Sequence, residues 1–478
     1  MPEASNRRYA LLATTLAAFL TPFMGSAVNV ALPRIGEEFG MNAITLGWVA
    51  TSYILAAAIG LVPLGRWADI RGRKRVFVWG VVVFTLGSIA SALSVSTGTL
   101  IAARVVQGLG GAMMFGTGTA ILTSVYPPQL RGHALGINVA TVYVGLSLGP
   151  TLGGVMTQAL GWRSIFWVCV PLGVAVVALV TWKLEGEWFD ARGERFDVAG
   201  TVLYSLALFS LMYGFTLLPA ASGGVLVGAG LAGLAGFVLL ERRISSPVLD
   251  TSLFSGNQVF ALSNVAALVN YSATSAVSFL LSLYLQYARG LDARTAGFVL
   301  VAGPAVQAAV SPLAGRLSDR VEPRIVASIG MGLTVVGLVS FAFLGNVTPF
   351  GLIVTGQVLL GAGFGLFSSP NVSAIIGCVE RRCYGIAAGT VATMRMVGQM
   401  FSMGIAMLLL ALFVGRVQLT PNQHAGLLPA MKAAFVVFAV LCLGGVFASL
   451  ARGKLHGMVK DEGEGMKAEG QAESDARG

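Results

Sequence analysis

The stretch GRWADIRGRKR, Gly65 to Arg75, sets one carboxylate, Asp69, among Arg66, Arg71, Arg73, Lys74 and Arg75, with Gly65 and Gly72 marking its breaks. A carboxylate is favoured at the positive end of a helix dipole and gains or loses a proton, so Asp69 is a candidate for gating and for proton coupling. Arg104 lies inside an apolar run, three residues before Gln107. A charge there costs several kcal/mol unless it meets a polar partner or cavity, which makes the Arg104 and Gln107 pair a second candidate. Arg395, in TMRMVGQMFSM, is a third, with a structural clamp on helix-end carbonyls as its alternative. Met394, Met396, Met400 and Met403 surround it with flexible, polarizable chains suited to varied apolar ligands or to lipid. Asn29, Asn138, Asn264, Asn270 and Gln399 add uncharged polar groups, which either touch a ligand or join helices.

None of this is catalytic chemistry. There is no GxxxxGK[ST] nucleotide loop and no HExxH site. Cys169, Cys378, Cys383 and Cys442 lack metal-ligand spacing, and His133, His424 and His456 map to connections or the tail. The chain therefore reads as a non-enzyme without metal or cofactor.

The elements that must hold these residues are membrane helices. Of 478 residues, 55% are apolar and 11% charged, and the mean hydropathy is +0.80, far from a soluble balance of about 25% charged. Apolar runs recur from end to end, giving about fourteen spans with boundaries good to about 2 to 4 residues. The fold class is an all-α polytopic membrane protein. An even number of spans puts both termini on one side. Assigning that side to the cytoplasm collects about 23 of the 31 Lys and Arg there, against about 5 opposite. The net charge of +10 is thereby topology rather than a nucleic-acid surface. The first run, read as residues 9–31 and ending before Pro33, has no small-residue cleavage site and counts as a span rather than a signal peptide.

The chain also repeats itself. GRLSDRVEPR, with Gly315, Arg316 and Asp319, restates Gly65, Arg66 and Asp69 about 250 residues on, and Gly108 and Gly110 return as Gly361 and Gly363. Two pseudo-symmetric six-helix bundles follow, 1–184 and 258–452. A charged cytoplasmic linker and an inserted helix pair occupy 185–257, and a polar tail expected to be disordered occupies 453–478. Parallel repeats around a midplane cavity are the plan of a secondary transporter.

Gly65, Asp69, Arg71, Gly72, Arg73 and Lys74 resemble motif A of the major facilitator superfamily. Arg104, Gln107, Gly108 and Gly110 resemble its motif B, and Gly145, Gly149, Pro150, Gly153 and Gly154 its antiporter motif C. NVALPRI, GWRSIFWVCVPLG and ERRISSPVLDTSLF are similar to segments of the fourteen-span drug/proton antiporter branch. The resemblance implies export of amphiphilic drugs against protons, by a monomer in the inner membrane. It also implies that Asp69 meets the start of the thirteenth helix near Ile386, and Asp319 the start of the fifth near Ala134, latching the outward-open state. It links Arg104 to proton transfer.

One departure matters: where many branch members carry a helix-1 aspartate this chain has Met24, and no Asp or Glu lies near the middle of any span. Either Asp69, with Arg104, carries coupling, or the substrate is neutral or anionic and meets Arg104 or Arg395. The latter admits a metabolite exporter or an uncoupled uniporter, and a transporter-derived sensor or scaffold is the reading from another class. The glycines at 145, 149 and 153 share one helix face. Position for position, Gly145 returns as Gly398, but Gly149 and Pro150 return as Ser402 and Met403, so the first half alone holds the full stripe.

Overall fold

The computed structural model describes residues 2–244, 252–380, 384–415, 417–418 and 426–453. The tail from 454 onward, Cys383, His424, His456 and part of the 241–254 segment lie outside the described residues. Among the described residues, fourteen helices are long and apolar enough to cross a membrane. The first half holds α1 (Ser5–Phe39), α2 (Ala43–Arg71), α3 (Arg73–Ala92), α4 (Thr97–Val125), α5 (Gln129–Leu160) and α6 (Arg163–Lys183). The inserted pair is α7 (Val198–Leu217) and α8 (Ala221–Glu241). The second half holds α9 (Gln258–Ala288), α10 (Ala293–Ser318), α11 (Pro323–Ala342), α12 (Phe350–Gly377), α13 (Ile386–Phe413) and α14 (Leu427–Ala451).

Short polar connections fix where helices start. Asn42, Asp197, Asn257 and Asp292 each accept a backbone N–H at the third residue of the helix that follows, at 2.7 to 2.9 Å. Ser96 and Thr99 cap α4 reciprocally. Each cap satisfies a donor that the helix start leaves free. Gly72, at φ 114, alone separates α2 from α3, a conformation that favours glycine.

The repeat has a packing counterpart. A Cβ at Gly145 would stand 2.7 Å from the Phe19 carbonyl on α1, and one at Gly398 would stand 2.6 Å from the Leu268 carbonyl on α9. Each half thus crosses its first and fifth helices at a glycine. The inserted pair leans on α2 and α13: the Tyr204 hydroxyl donates to the Ala58 carbonyl at 3.1 Å, and the Phe215 and Phe401 rings sit 6.0 Å apart.

The first helix differs from its sequence reading, since it continues beyond Pro33 to Phe39. A proline leaves the carbonyl four residues earlier without its N–H. Here that is Asn29, whose carbonyl accepts the Ser282 hydroxyl of the second half at 2.7 Å. A neighbouring helix supplies the missing donor, as membrane packing allows. Its counterpart, α9, is broken at Ser275 and Ala276, and the Ser402 hydroxyl accepts from the Ala276 N–H there at 2.9 Å.

Candidate functional site

Residues 184–197 define one end of the bundle, the linker end. The start of α1 joins it through paired hydrogen bonds between Asn6 and Glu185, and the end of α14 lies beside the start of α9, where the Gln258 amide donates to the Ala451 carbonyl at 3.3 Å.

Asp69 sits at this end, where Arg73 pairs with it at 2.8 Å and also pairs with Asp190 of the linker. The linker wraps the whole 66–75 region. Glu194 pairs with Arg66 at 2.5 Å, and Glu187 accepts the Lys74 and Arg75 backbone N–H groups at the open start of α3. Ala191 donates to the Asp69 carbonyl, and Arg73 donates through its N–H to the Trp188 carbonyl. Three linker carboxylates thus hold the cationic 66–75 region of the first half. Arg71 is exposed at the end of α2.

The described polar partners of Asp69 belong to its own half and the linker, and Asp319 is exposed at the end of α10. Around the starts of α5 and α13, Gly132, Gly136 and Gly389 face open space. Among the described residues the expected meetings of Asp69 with α13 and of Asp319 with α5 are not made in this conformation, which leaves a gap between the halves on the linker side.

The opposite, far end is closed. Beside the Ser282 bond, Gln286 donates to the Val30 carbonyl at 3.0 Å and Tyr287 to that of Pro33 at 3.4 Å. Gly149 and Gly153 press on Ser26 and Ala27 of α1, continuing the contact of Gly145, while Gly154 meets the Ala293 carbonyl and Pro150 meets Gly297, both on α10. The stripe therefore has two faces, one inside its half and one against the other half.

Arg104 is 1% exposed. Its Nε donates to the Val49 carbonyl at 3.1 Å, Nη1 donates to Gln107, and the Gln107 amide donates to Ser88 at 2.7 Å. The guanidinium stacks 4.5 Å from the Tyr53 ring and 5.9 Å from that of Phe166. It is a clamp among α2, α3, α4 and α6. Val49 and Asp69 are separated by about 30 Å along α2 at 1.5 Å per residue, so Asp69 and Arg104 form no direct pair.

Between the ends, side chains from both halves approach one another. Arg395 lies over the Phe115 ring at 4.4 Å, with its Nε buried and without a hydrogen-bond partner. Tyr143 is 3.4 Å from Ser368. Tyr271 interacts with Ser368 and Arg395 and meets the Phe364 ring edge-on at 5.1 Å. A small space closer to the far end is lined by Thr21, Tyr53, Gly111, Phe115 and Met396.

The remaining polar candidates scatter. Asn138 joins α5 to the Thr14 carbonyl of α1 at 3.2 Å. Asn270 is fully buried in α9 with both amide atoms unpartnered, and Asn29 and Gln399 are half-buried. Met394 packs on the apolar core, where Met400 and Met403 are buried. Sequence reasoning missed the aromatic ring of Phe115, Tyr143 and Tyr271, which carries no spacing signal. It also missed Arg452, buried on Ser263 and Asn371, where burial pulls its pKa down to about 10. Among the described residues no cluster of His, Cys, Asp or Glu suits a metal ion.

Two six-helix halves, shut against each other at one end and parted at the other, form the frame of a membrane carrier. Residues 14–254 and 264–469 match the Major Facilitator Superfamily. The chain belongs to that superfamily of transporters. It is 30% identical to the riboflavin transporter RibZ of Clostridioides difficile, over 83% of this chain and 86% of that one. It is 33% identical to the multidrug resistance protein Stp of Mycobacterium tuberculosis, over 83% and 74%. A bacterial homologue of the human lysosomal transporter Spinster, solved in an inward-facing and unoccupied conformation, shares the fold with a TM-score of 0.66 at 16% identity, over 95% of this chain and 98% of that one.

Proposed function

We propose that the protein exports amphiphilic small molecules by alternating access and proton antiport, as a monomer in the inner membrane with its linker end cytoplasmic. The observation that carries this reading is the far-end seal at Gly154 and Pro150. An exporter must keep that end shut while it loads from the cytoplasm, and in support of this the seal lies opposite the cation-rich end that the positive-inside rule favours as cytoplasmic. The relative named as a multidrug resistance protein supports the substrate class. In proteoliposomes with an imposed pH gradient, export of ethidium, a neutral drug or an organic anion should collapse when the gradient is dissipated. Gradient-independent flux of all three would overturn the antiport.

Asp69 is the coupling group in this reading. When the linker end closes, its carboxylate leaves Arg73 for the start of α13, and Asp69→Asn removes the charge that holds that contact. Labelling of a cysteine placed at Gly389 from the linker side should then rise by about threefold or more, a population shift of roughly 0.7 kcal/mol. Unchanged labelling would remove the latch.

A second reading has one observation in its favour. The charged side chain in the central gap is Arg395, and the described carboxylates lie at helix ends or in connections. That arrangement suits a neutral or anionic substrate, moved with or without protons.

A further inference from the structure

We propose that the central gap binds a planar aromatic anion, its carboxylate or equivalent delocalised edge on Arg395 and its ring between Phe115 and the Tyr143 and Tyr271 side. This rests on the transporter reading above and names the class of its substrate.

Depth is the first support. At 1.5 Å per residue, Arg395, Phe115 and Ser368 each lie about 14 to 15 Å from the linker end of their helix, and Tyr143 and Tyr271 about 20 Å. Side chains of α4, α5, α9, α12 and α13 therefore converge near the bilayer midplane, where both halves contribute and where carriers of this plan hold substrate. The cross-gap contacts are those already measured: Arg395 to Phe115 at 4.4 Å and Tyr143 to Ser368 at 3.4 Å.

Charge is the second. A guanidinium at this depth is costly without an anion. Asp69 and Glu241 lie at the linker-end termini of α2 and α8, and Asp292 precedes α10 at the far end. Arg104, the other deep guanidinium near Tyr53 among the described residues, is clamped on the Val49 carbonyl and Gln107 against that ring. The Arg395 Nε has no hydrogen-bond partner. A planar fork with a free N–H accepts a carboxylate edge-on, with directionality an ammonium group lacks.

Shape is the third. Phe115 faces the guanidinium, and Tyr271 is edge-on to Phe364 at 5.1 Å. Flat walls beside a cation favour stacking by an aromatic ring with an anionic rim. The same cation repels a lipophilic cation that would sit on those walls.

The test uses the full-length protein in lipid nanodiscs at equilibrium, with two planar fluorescent probes of the same ring, pyrene-1-carboxylate and pyrenylmethylammonium. Protein-free nanodiscs subtract partitioning. The carboxylate should bind at least tenfold more tightly than the ammonium. Arg395→Gln should erase that preference, Arg395→Lys should restore only part of it, and Phe115→Leu should weaken both probes alike. Equal or tighter binding of the ammonium, or a preference unchanged in both Arg395 variants, would overturn the proposal. Arg395→Lys retains the charge and serves if the glutamine variant does not fold. Because no gradient is imposed, the result stands apart from the antiport: loss of gradient-driven flux with the carboxylate preference intact sinks the coupling and leaves the site.

Discussion

Arg104→Ala should lower the stability of the purified protein by about 3 kcal/mol, read as a fall of several degrees in its thermal midpoint. The side chain is 1% exposed and fills the space between the Tyr53 and Phe166 rings, so truncation leaves a cavity that the surrounding helices close only in part. It also strands the Gln107 amide oxygen, and each orphaned buried acceptor costs roughly 1 to 3 kcal/mol. Relief from burying a charge without a carboxylate offsets part of this, which keeps the figure near the lower end of the sum. Arg104→Lys should recover less than half the loss, because an ammonium cannot bond Val49 and Gln107 in one plane while stacking on Tyr53. The family resemblance sets a contrasting expectation, with Arg104 moving protons. A normal thermal midpoint combined with lost gradient-driven flux would assign it there and discard the clamp.

The fourteen helices were legible because apolar length and polar breaks are direct signals in a membrane chain. The end of α1 was not, since Pro33 reads as a stop and the donor that lets the helix continue, Ser282, comes from 249 positions later in the chain. The same limit hid the wrap of the linker. In the sequence Glu187, Asp190 and Glu194 belong simply to a charged cytoplasmic linker, and only the fold brings them onto Arg66, Arg73 and the start of α3. Arg395 was visible as a charge within an apolar run, but its aromatic company was not, because Phe115, Tyr143 and Tyr271 lie on three other helices.

The two halves are alike in frame and different in chemistry. Gly149 lets α5 close on Ser26 of a continuous α1, whereas its counterpart Ser402 caps the break in α9. Arg104 is mirrored by Gln357, which is buried on α12 with its amide nitrogen unpartnered. The first half thus has a polar clamp and a continuous first helix where the second has an unpartnered amide and a first helix interrupted at Ser275 and Ala276.

Gly153→Val and Gly154→Val separate packing within the first half from the seal between the halves, because adjacent residues on α5 meet different partners. A Cβ at Gly153 would stand 2.8 Å from the Ala27 Cα, a backbone atom of α1 in the same half. Valine there must push the two helices apart in every state of the cycle, at a cost of about 1 to 3 kcal/mol of stability. A Cβ at Gly154 instead strikes the Ala293 carbonyl of α10, which belongs to the other half. That clash exists only while the far end is shut, so its energy acts on the conformational equilibrium rather than on folding. At 1.4 kcal/mol per tenfold, an overpacking penalty of about 1 to 3 kcal/mol shifts the population toward the far-end-open state by roughly five- to more than a hundredfold. Gly154→Val should therefore keep a near-normal thermal midpoint and lose most net export, while a cysteine placed at Gln286 becomes reactive to an impermeant reagent added from the far side. Gly153→Val should show the reverse: a lowered midpoint with little far-side labelling. If both variants lowered the midpoint equally and neither exposed position 286, the glycines would be packing residues alone and the far-end seal would not depend on them.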